Sequence, residues 1–414
     1  MEYNPFTNPP FTSIWIKYFA SNLPVFNFPF FKGLSFVKHS WLPLYINVGK
    51  NQTKGITYQL NPNSSKFFKN HVFLIYDCSD YYNLVGDFSN RTIGRFQIEQ
   101  YSGFIADLSG QETVQDYLKR ELSKRGRQKI IRYEKRLNTC FRISFKMHQE
   151  NIPLETYENL FQYFKSFLIK RFDEKQETNN NLDEKEWDFF KVLTFELLKD
   201  KQASLFVTYE DETPIAISLH YLRGKTIIDV IRSFDIDYSK FHLGSVSIAA
   251  LIKWCYENSI DRIDFSKGDF EYKRSWANLE HHFENHIYYN KRSTTSSLLA
   301  MTISRYFKLK RFLRDFGLNQ RFHKFTYSLN KRNSKIQEKI LPSYMLIDTV
   351  PINSKSDMEL LDMEKIKVYG LKKTLNDFLF LTSEHKTDAK VYKMKSEPYF
   401  FIEGLNSNKK VIPK

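Results

Sequence analysis

The stretch from residue 151 to residue 290 constrains the fold most, because its hydrophobic pattern changes period in a fixed order. Two helical stretches come first, at residues 154–172 and 183–200, separated by a polar loop at 174–186. Tyr157, Phe161, Phe164 and Phe167 recur at helical spacing and read as a core stripe. Three strand-like runs follow: SLFVTY (204–209), IAISLHYL (215–222) and TIIDVIRSF (226–234). Arg223-Gly224-Lys225 suits a tight hairpin turn between the last two. Next come a loop at 235–243, a helix at 244–258, a buried-type strand at 261–265, a turn around Gly268 and a strand at 283–289. Three antiparallel strands passing through one helix into a parallel fourth strand restrict the chain to an α/β fold with a mixed sheet.

The preceding residues read as a small α/β unit. Strand-like runs lie at 44–48, 56–60, 72–76, 95–101 and 103–108, with a short helix expected at 78–88 capped by Ser79. Residues 111–137 predict one long helix, kinked at Gly126, that carries nine Lys and Arg side chains between Lys119 and Arg136. A strand is expected at 140–147 and an amphipathic basic helix at 295–316. The chain then divides into 1–110, 111–150, 151–294, 295–340 and 341–414, the last a small α/β appendage.

Of the 414 residues, 42% are hydrophobic and 16% aromatic, which supplies enough apolar surface for a packed core. The net charge of +15 suits anionic partners, whether phosphates, nucleic acid or a membrane surface. Cys78, Cys140 and Cys255 are too far apart and too few for a disulfide framework or a structural zinc site. His281, His282 and His286 are not at a zinc spacing, so no metal is expected. No basic segment followed by an apolar one opens the chain, and no apolar run approaches the roughly 20 residues of a spanning helix. The expected setting is cytoplasmic, or peripheral at the inner membrane surface.

Two segments carry chemistry. In DIDYSKFHLGSVSIAAL (235–251), Gly244 opens a helix, preceded by Lys240 and followed by Ser245. Free N–H groups and the helix dipole there suit a phosphate or pyrophosphate. Neither a Walker A loop nor GxGxxG is present. In DFSKGDFEYKRSW (264–276), charged residues crowd behind a strand end, where substrates dock in α/β sheets. A lysine there can donate to an oxyanion and a carboxylate can take a proton from an amine. His220 and Asp229 lie on the central strands; His220 reads as a hydrogen-bonded core or surface histidine, with a pocket-facing base as the alternative, and Cys255, beside Trp254, reads as core.

Taken together, these features resemble the GNAT acyltransferase superfamily, and more closely its CelD-like, cellulose-biosynthesis-associated members. The resemblance rests on YLKRELSKRGRQKIIRYEKRL (117–137), on Asp237, Tyr238, Leu243 and Gly244, and on Asp264, Phe265, Gly268, Tyr272, Lys273 and Trp276. It covers roughly residues 101–290, with residues 1–110 fitting more loosely as a degenerate first GNAT-like half. More distantly, the chain resembles the Fem peptidyltransferases, in which a Phe-Lys pair places a lysine at the reacting carbonyl; Tyr272-Lys273 matches that pair in character.

The resemblance implies a tandem GNAT-like fold, with mixed, mostly antiparallel sheets flanked by helices. It implies an N-acyltransferase that takes acetyl-CoA or another acyl-CoA as donor. The acceptor would be an amine-bearing small molecule or glycan precursor, in surface polysaccharide or lipid synthesis. Lys240, Leu243, Gly244, Ser245 and Arg232 would hold the donor, and Lys273, with Tyr272 beside it, would stabilise the oxyanion. The family commonly places Glu where Phe270 stands, which leaves Asp269 or Glu271 as the base. Two alternatives stay open: Fem-like transfer from aminoacyl-tRNA, with the basic helices meeting tRNA or a membrane surface, and a non-catalytic scaffold.

Overall fold

The computed structural model describes residues 3–61, 68–82, 91–110, 113–150, 152–316, 344–349, 357–362, 370–395 and 397–413. The chain starts with helix α1 (Pro9–Phe19), whose two leading prolines suit the first helical turn and whose cap Asn8 accepts from the Phe11 amide. Six strands follow: β1 (Val25–Asn27), β2 (Phe31–Lys32), β3 (Ser35–Lys38), β4 (Leu44–Asn47), β5 (Gln59–Leu60) and β6 (Val72–Ser79). The run expected to be helical from Cys78 is different in its first residues: Cys78 and Ser79 end β6, and residues 83–90 lie outside the described set. Strand β7 (Ile93–Asp107) is one continuous element where the sequence suggested two.

The expected basic helix divides into α2 (Val114–Glu121) and α3 (Lys124–Cys140). The break falls at Leu122, which is extended, and Ser123 caps the second helix by accepting from the Gly126 amide. Gly126 therefore sits in a first turn and kinks nothing. Strand β8 (Ile143–His148), helices α4 (Leu154–Lys175) and α5 (Glu184–Lys199), and strands β9 (Ala203–Glu210), β10 (Thr213–Arg223) and β11 (Thr226–Phe234) follow in the predicted order. The segment read as a loop after β11 is wound into a 3-10 turn at Ile236–Phe241, which runs into α6 (Leu243–Glu257). Then come β12 (Arg262–Lys267), a short helix α7 (Glu271–Trp276) in place of a turn, β13 (Leu279–Asn290) and α8 (Thr294–Asp315). Strands β14 (Tyr344–Asp348) and β15 (Met358–Leu360), helix α9 (Leu371–Thr382) and strands β16 (Lys390–Met394), β17 (Phe400–Glu403) and β18 (Asn408–Pro413) end the chain.

An 11-stranded mixed sheet runs through the body of the protein in the order β1-β3-β4-β6-β13-β7-β12-β11-β10-β9-β8. Strand β13 leaves the strands that precede it and inserts between β6 and β7, so the two halves share one sheet. A second, five-stranded sheet, β14-β18-β17-β16-β15, forms the C-terminal unit. The aromatic stripe of α4 packs against Trp187, Phe190 and Leu193 of α5 and against Leu205, Val207, Leu219 and Ile228 of the sheet. Each such side chain taken from water contributes roughly 1.5–3 kcal/mol. On the opposite face, Ile248, Leu251, Ile252 and Cys255 of α6 cover Phe206, Ile227 and Ile263.

Candidate active site at a strand seam

Two parallel strands separate at the centre of the large sheet. β11 and β12 pair through Thr226–Arg262, Ile227–Ile263 and Ile228–Asp264, and there the ladder stops. Each strand carries an irregularity at that level. Against β10, Leu219 pairs with Ile231 and His220 with Asp229, so Val230 is an extra residue on β11. Against β7, Asp264 pairs with Ile105 and Lys267 with Gly103, so β12 also carries one extra residue. An added residue bends a strand and increases its twist, and two at one level open a seam. Ser266 in this bulge has φ +65°, and its amide donates to Asp264 Oδ1 at 2.7 Å.

Buried polar groups stand on the strands around the seam, and among the described residues many of them have no partner. Arg232 Nε donates to Asp229 Oδ2 at 2.9 Å, yet Arg232 Nη1 and Nη2 and Asp229 Oδ1 are unsatisfied. Ser218 Oγ, Ser233 Oγ, Ser266 Oγ, Asp264 Oδ2 and His220 Nε2 are unsatisfied as well. A buried polar atom without a partner costs about 1–3 kcal/mol, so a group of them marks a place kept polar for a ligand or water. His220 lies 3.9 Å from Asp229; burial outweighs that carboxylate and pushes its imidazole down to about 4, so it is neutral.

Lys273 projects from α7 into the end of the seam. It is buried, and its Nζ donates to the Ser266 carbonyl at 3.1 Å and the Lys267 carbonyl at 2.8 Å. An ammonium has three donors, so one remains. Burial pushes its pKa down to about 8, against the pull of Asp229 and Asp264. The preceding Tyr272 is half-buried, and burial, with Asp229 nearby, raises its phenol. Asp269 and Glu271 are both exposed, and Asp269 is engaged by Arg274. The carboxylates that act on Lys273 are Asp229 and Asp264.

The first half, together with the inserted strand β13, supplies residues that sequence reasoning did not assign. Asp77 at the end of β6 accepts from Lys267 at 2.7 Å and from Thr53 at 2.8 Å. Lys54 stands close by; burial, then the charges of Lys267 and Lys273, lower it to about 7. His281 of β13 faces Ser79 at 3.0 Å, Asp80 at 3.6 Å and Asp264 at 3.8 Å. Burial alone would lower this imidazole, but the nearby carboxylates of Asp264 and Asp80 carry it up to about 9. No local motif announces these groups, because the insertion of β13 and the pairing of β7 with β12 bring them to the seam.

The other expected donor-binding residues lie at the start of α6 and in the turn before it. Gly244 opens α6 beside Phe234, and a Cβ on it would lie 3.1 Å from that ring. Ser245 is half-buried, while the Leu243 side chain is fully buried in the core shared with α3 and α9. Only the Leu243 amide can therefore serve an anion. Lys240 reaches Asp377 of α9 at 3.7 Å. The turn before α6 is held by Lys170, 2.7 Å from Asp235 and 2.5 Å from Asp237, and by Asn376, which donates to the Asp237 carbonyl at 3.1 Å.

Residues 124–274 match the acetyltransferase (GNAT) domain. The match spans α3 to α7 and includes Arg232, Lys240, Gly244 and Lys273. No curated protein sequence matches the chain. Among solved structures, it is similar to the C-terminal domain of a putative lysylphosphatidylglycerol synthetase from Agrobacterium fabrum, at 9% identity and TM-score 0.44, covering 70% of this chain and 91% of that one. It is similar to FemX at 11% identity and TM-score 0.44, covering 66% and 86%. It is also similar to a tandem GNAT protein from the clavulanic acid biosynthesis pathway at 8% identity and TM-score 0.32, covering 69% and 96%. Among the described residues, no group of three His, Cys, Asp or Glu side chains is placed to hold a metal ion, and no helix is long and apolar enough to cross a membrane.

Proposed function

We propose that the protein is an N-acyltransferase that moves an acyl group from an acyl-CoA, acetyl-CoA being the simplest, to an amine. The observation that carries this reading is the seam where β11 leaves β12, lined with unsatisfied polar groups and closed by Lys273. A thioester lying between the separated strands meets unpaired backbone and the free donor of Lys273. The donor phosphates rest at the α6 N-terminus, on the amides of Leu243 and Gly244 and the Ser245 hydroxyl, since the Ser245 amide donates to the His242 carbonyl at 2.9 Å; Lys240 and Arg232 add positive charge.

The amine attacks the thioester carbonyl, the C–N bond forms, and the electron pair on oxygen is stabilised by the Lys273 ammonium. Collapse expels CoA thiolate, and the amine proton leaves to a carboxylate. Asp229, whose Oδ1 is unpaired and faces inward, suits that role better than the exposed Asp269 or Glu271. Tyr272 packs beside Lys273 and narrows the site. The resemblance to CelD-like proteins supports an acceptor from surface glycan or lipid synthesis, and a peripheral position at the inner membrane surface.

One observation favours a second reading, transfer from aminoacyl-tRNA. Lys240 is drawn to Asp377, and His242 at the head of α6 stacks on Tyr133 with ring centroids 4.0 Å apart. Both leave less of the helix end open to a pyrophosphate. A thermal-shift series with acetyl-CoA, a longer acyl-CoA and bulk tRNA separates the readings, because a ligand that binds only the native state raises its melting temperature. A rise with a thioester, lost in Gly244→Trp, supports the acyl-CoA reading. A salt-sensitive rise with tRNA alone replaces it with the second. No rise with any of the three sinks both and leaves a non-catalytic scaffold.

A further inference from the structure

Helix α8 has two apolar faces, and only one of them is packed among the described residues. Its inner face packs on the sheet, with Ala300 and Phe307 in a cluster with Leu44, Leu74, Ile98 and Ile287. Its outer face presents Leu298, Met301, Leu309, Phe312, Leu313 and Phe316, all exposed, Leu298 by 67% and Phe316 by 68%. These positions recur at i, i+3, i+11, i+14, i+15 and i+18, which is one side of a helix. At 1.5 Å per residue, the 18 steps from Leu298 to Phe316 make this ridge about 27 Å long.

Cations run through and beside the ridge. Arg305, Lys308 and Lys310 are exposed and make no ion pair among the described residues. Lys308 and Lys310 fall on opposite flanks of the Leu309 row. The other basic groups are used inside the fold: Arg311 pairs with Glu99 at 2.7 Å, and Arg314 donates to the Gln100 carbonyl.

A second exposed apolar group lies beside the start of the helix. Trp41, 90% exposed, and Leu42 precede Pro43, whose carbonyl accepts from the Val72 amide at 2.9 Å. Ser296 of α8 donates to the neighbouring His71 carbonyl at 3.1 Å, so the Trp41 loop and the first turn of α8 are tied to one stretch of backbone. Exposed patches of this kind mark interaction sites. An apolar ridge flanked by cations, with a tryptophan beside it, has the chemistry of an interface with anionic lipid. RNA would use the cations and leave the ridge bare.

We propose that the outer face of α8 and the Trp41 loop dock the protein on an anionic bilayer surface, lying in the interface without crossing it. Docking there brings the catalytic domain to a membrane-borne acceptor. Tyr101 links the two: the Arg314 guanidinium of α8 lies 4.1 Å from its ring centroid and the Lys267 ammonium of the seam 5.9 Å from it. That consequence rests on the acyltransferase reading; the docking surface does not.

The test is co-sedimentation of the full chain with phosphatidylcholine vesicles, with and without phosphatidylglycerol. The wild type binds the phosphatidylglycerol vesicles and releases as salt rises. Trp41→Ser/Leu309→Ser/Phe312→Ser loses roughly tenfold or more in bound fraction, and Lys308→Gln/Lys310→Gln loses several-fold with a shallower salt dependence. All three changed apolar residues are surface residues, and an unchanged melting temperature verifies the fold. Failure of the wild type to bind phosphatidylglycerol vesicles, or equal binding by the apolar triple variant, overturns the proposal. So does a wild-type dimer that the triple variant dissociates without any vesicle binding, or tRNA retention that falls with the apolar changes. The acetyl-CoA thermal shift, run on the same variants, is unaffected. Its absence alongside intact vesicle binding counts against the acyltransferase reading and leaves the docking surface standing.

Discussion

Replacing Lys273 with methionine separates a catalytic lysine from a structural one. In the fold, the side chain does two opposing things. Its Nζ satisfies the carbonyls of Ser266 and Lys267. Hydrogen bonds from a charged donor contribute about 1.5–3 kcal/mol each, so losing both costs several kcal/mol if the freed carbonyls stay dry. Against that stands the burial of the charge. A shift from 10.5 to about 8 corresponds to roughly 3 kcal/mol that the folded state gives up at pH 7 by keeping the ammonium protonated. The two effects nearly offset, so Lys273→Met melts within a few degrees of the wild type at pH 7. The sign with pH follows from the lowered pKa. The unfolded chain binds the proton more tightly, so this group makes the wild type more stable as pH rises from about 8 toward 10.5, and the variant lacks that gain. Activity behaves differently: removing one donor from an oxyanion costs about 100- to 1,000-fold in kcat. The assay is thiol release from acyl-CoA in the presence of an amine panel, beside thermal melts across pH 7–10. A variant that keeps wild-type turnover, or one that loses turnover only in proportion to its folded fraction, refutes the reasoning.

Asp229→Asn is expected to lower kcat by about 100-fold or more, while Asp269→Asn stays near the wild type, as thiol-release kinetics will show. Equal losses in the two would return the base to the exposed loop. Gly103→Ala places a Cβ 2.3 Å from His281 Nε2 and 2.5 Å from the Phe283 ring, so chemical denaturation should show a loss of about 1–3 kcal/mol. His281 has a raised pKa, so the stability it contributes is complete below 6.5 and disappears as pH rises through about 9. The stability gap between wild type and His281→Gln should therefore shrink between pH 7 and 10 by up to about 3 kcal/mol, read from denaturant melts at each pH.

Much of the second half was legible because its period-2 and period-3.6 runs are long and bounded by turn residues. The three strands β9 to β11 and the Gly244 helix start follow from local pattern alone. Helix–strand errors arose where local pattern was overruled. Cys78 and Ser79 extend β6 because β13 offers Glu284 and Phe283 as partners, and nothing near residue 78 announces a strand two hundred residues away. The break at Leu122 comes from Ser123, a cap inside a run whose basic composition reads as one helix. The site was half visible. Lys273 lies in a motif and Arg232 in a legible strand run, but Asp77, Lys54 and His281 reach the seam only through sheet topology. The roles expected of Asp269 and Glu271 rested on sequence proximity, whereas the side chains that turn inward are set by the bulges at Val230 and Ser266.

The account stands on the claim that the donor lies in the open seam between β11 and β12. Amide hydrogen exchange with and without a non-reactive acetyl-CoA analogue tests it most directly. The account predicts slowed exchange confined to residues 229–234, 243–246 and 265–268 on ligand addition, with the outer strands β8 and β9 unchanged. Binding of the analogue with protection elsewhere, and none in those three segments, would contradict it.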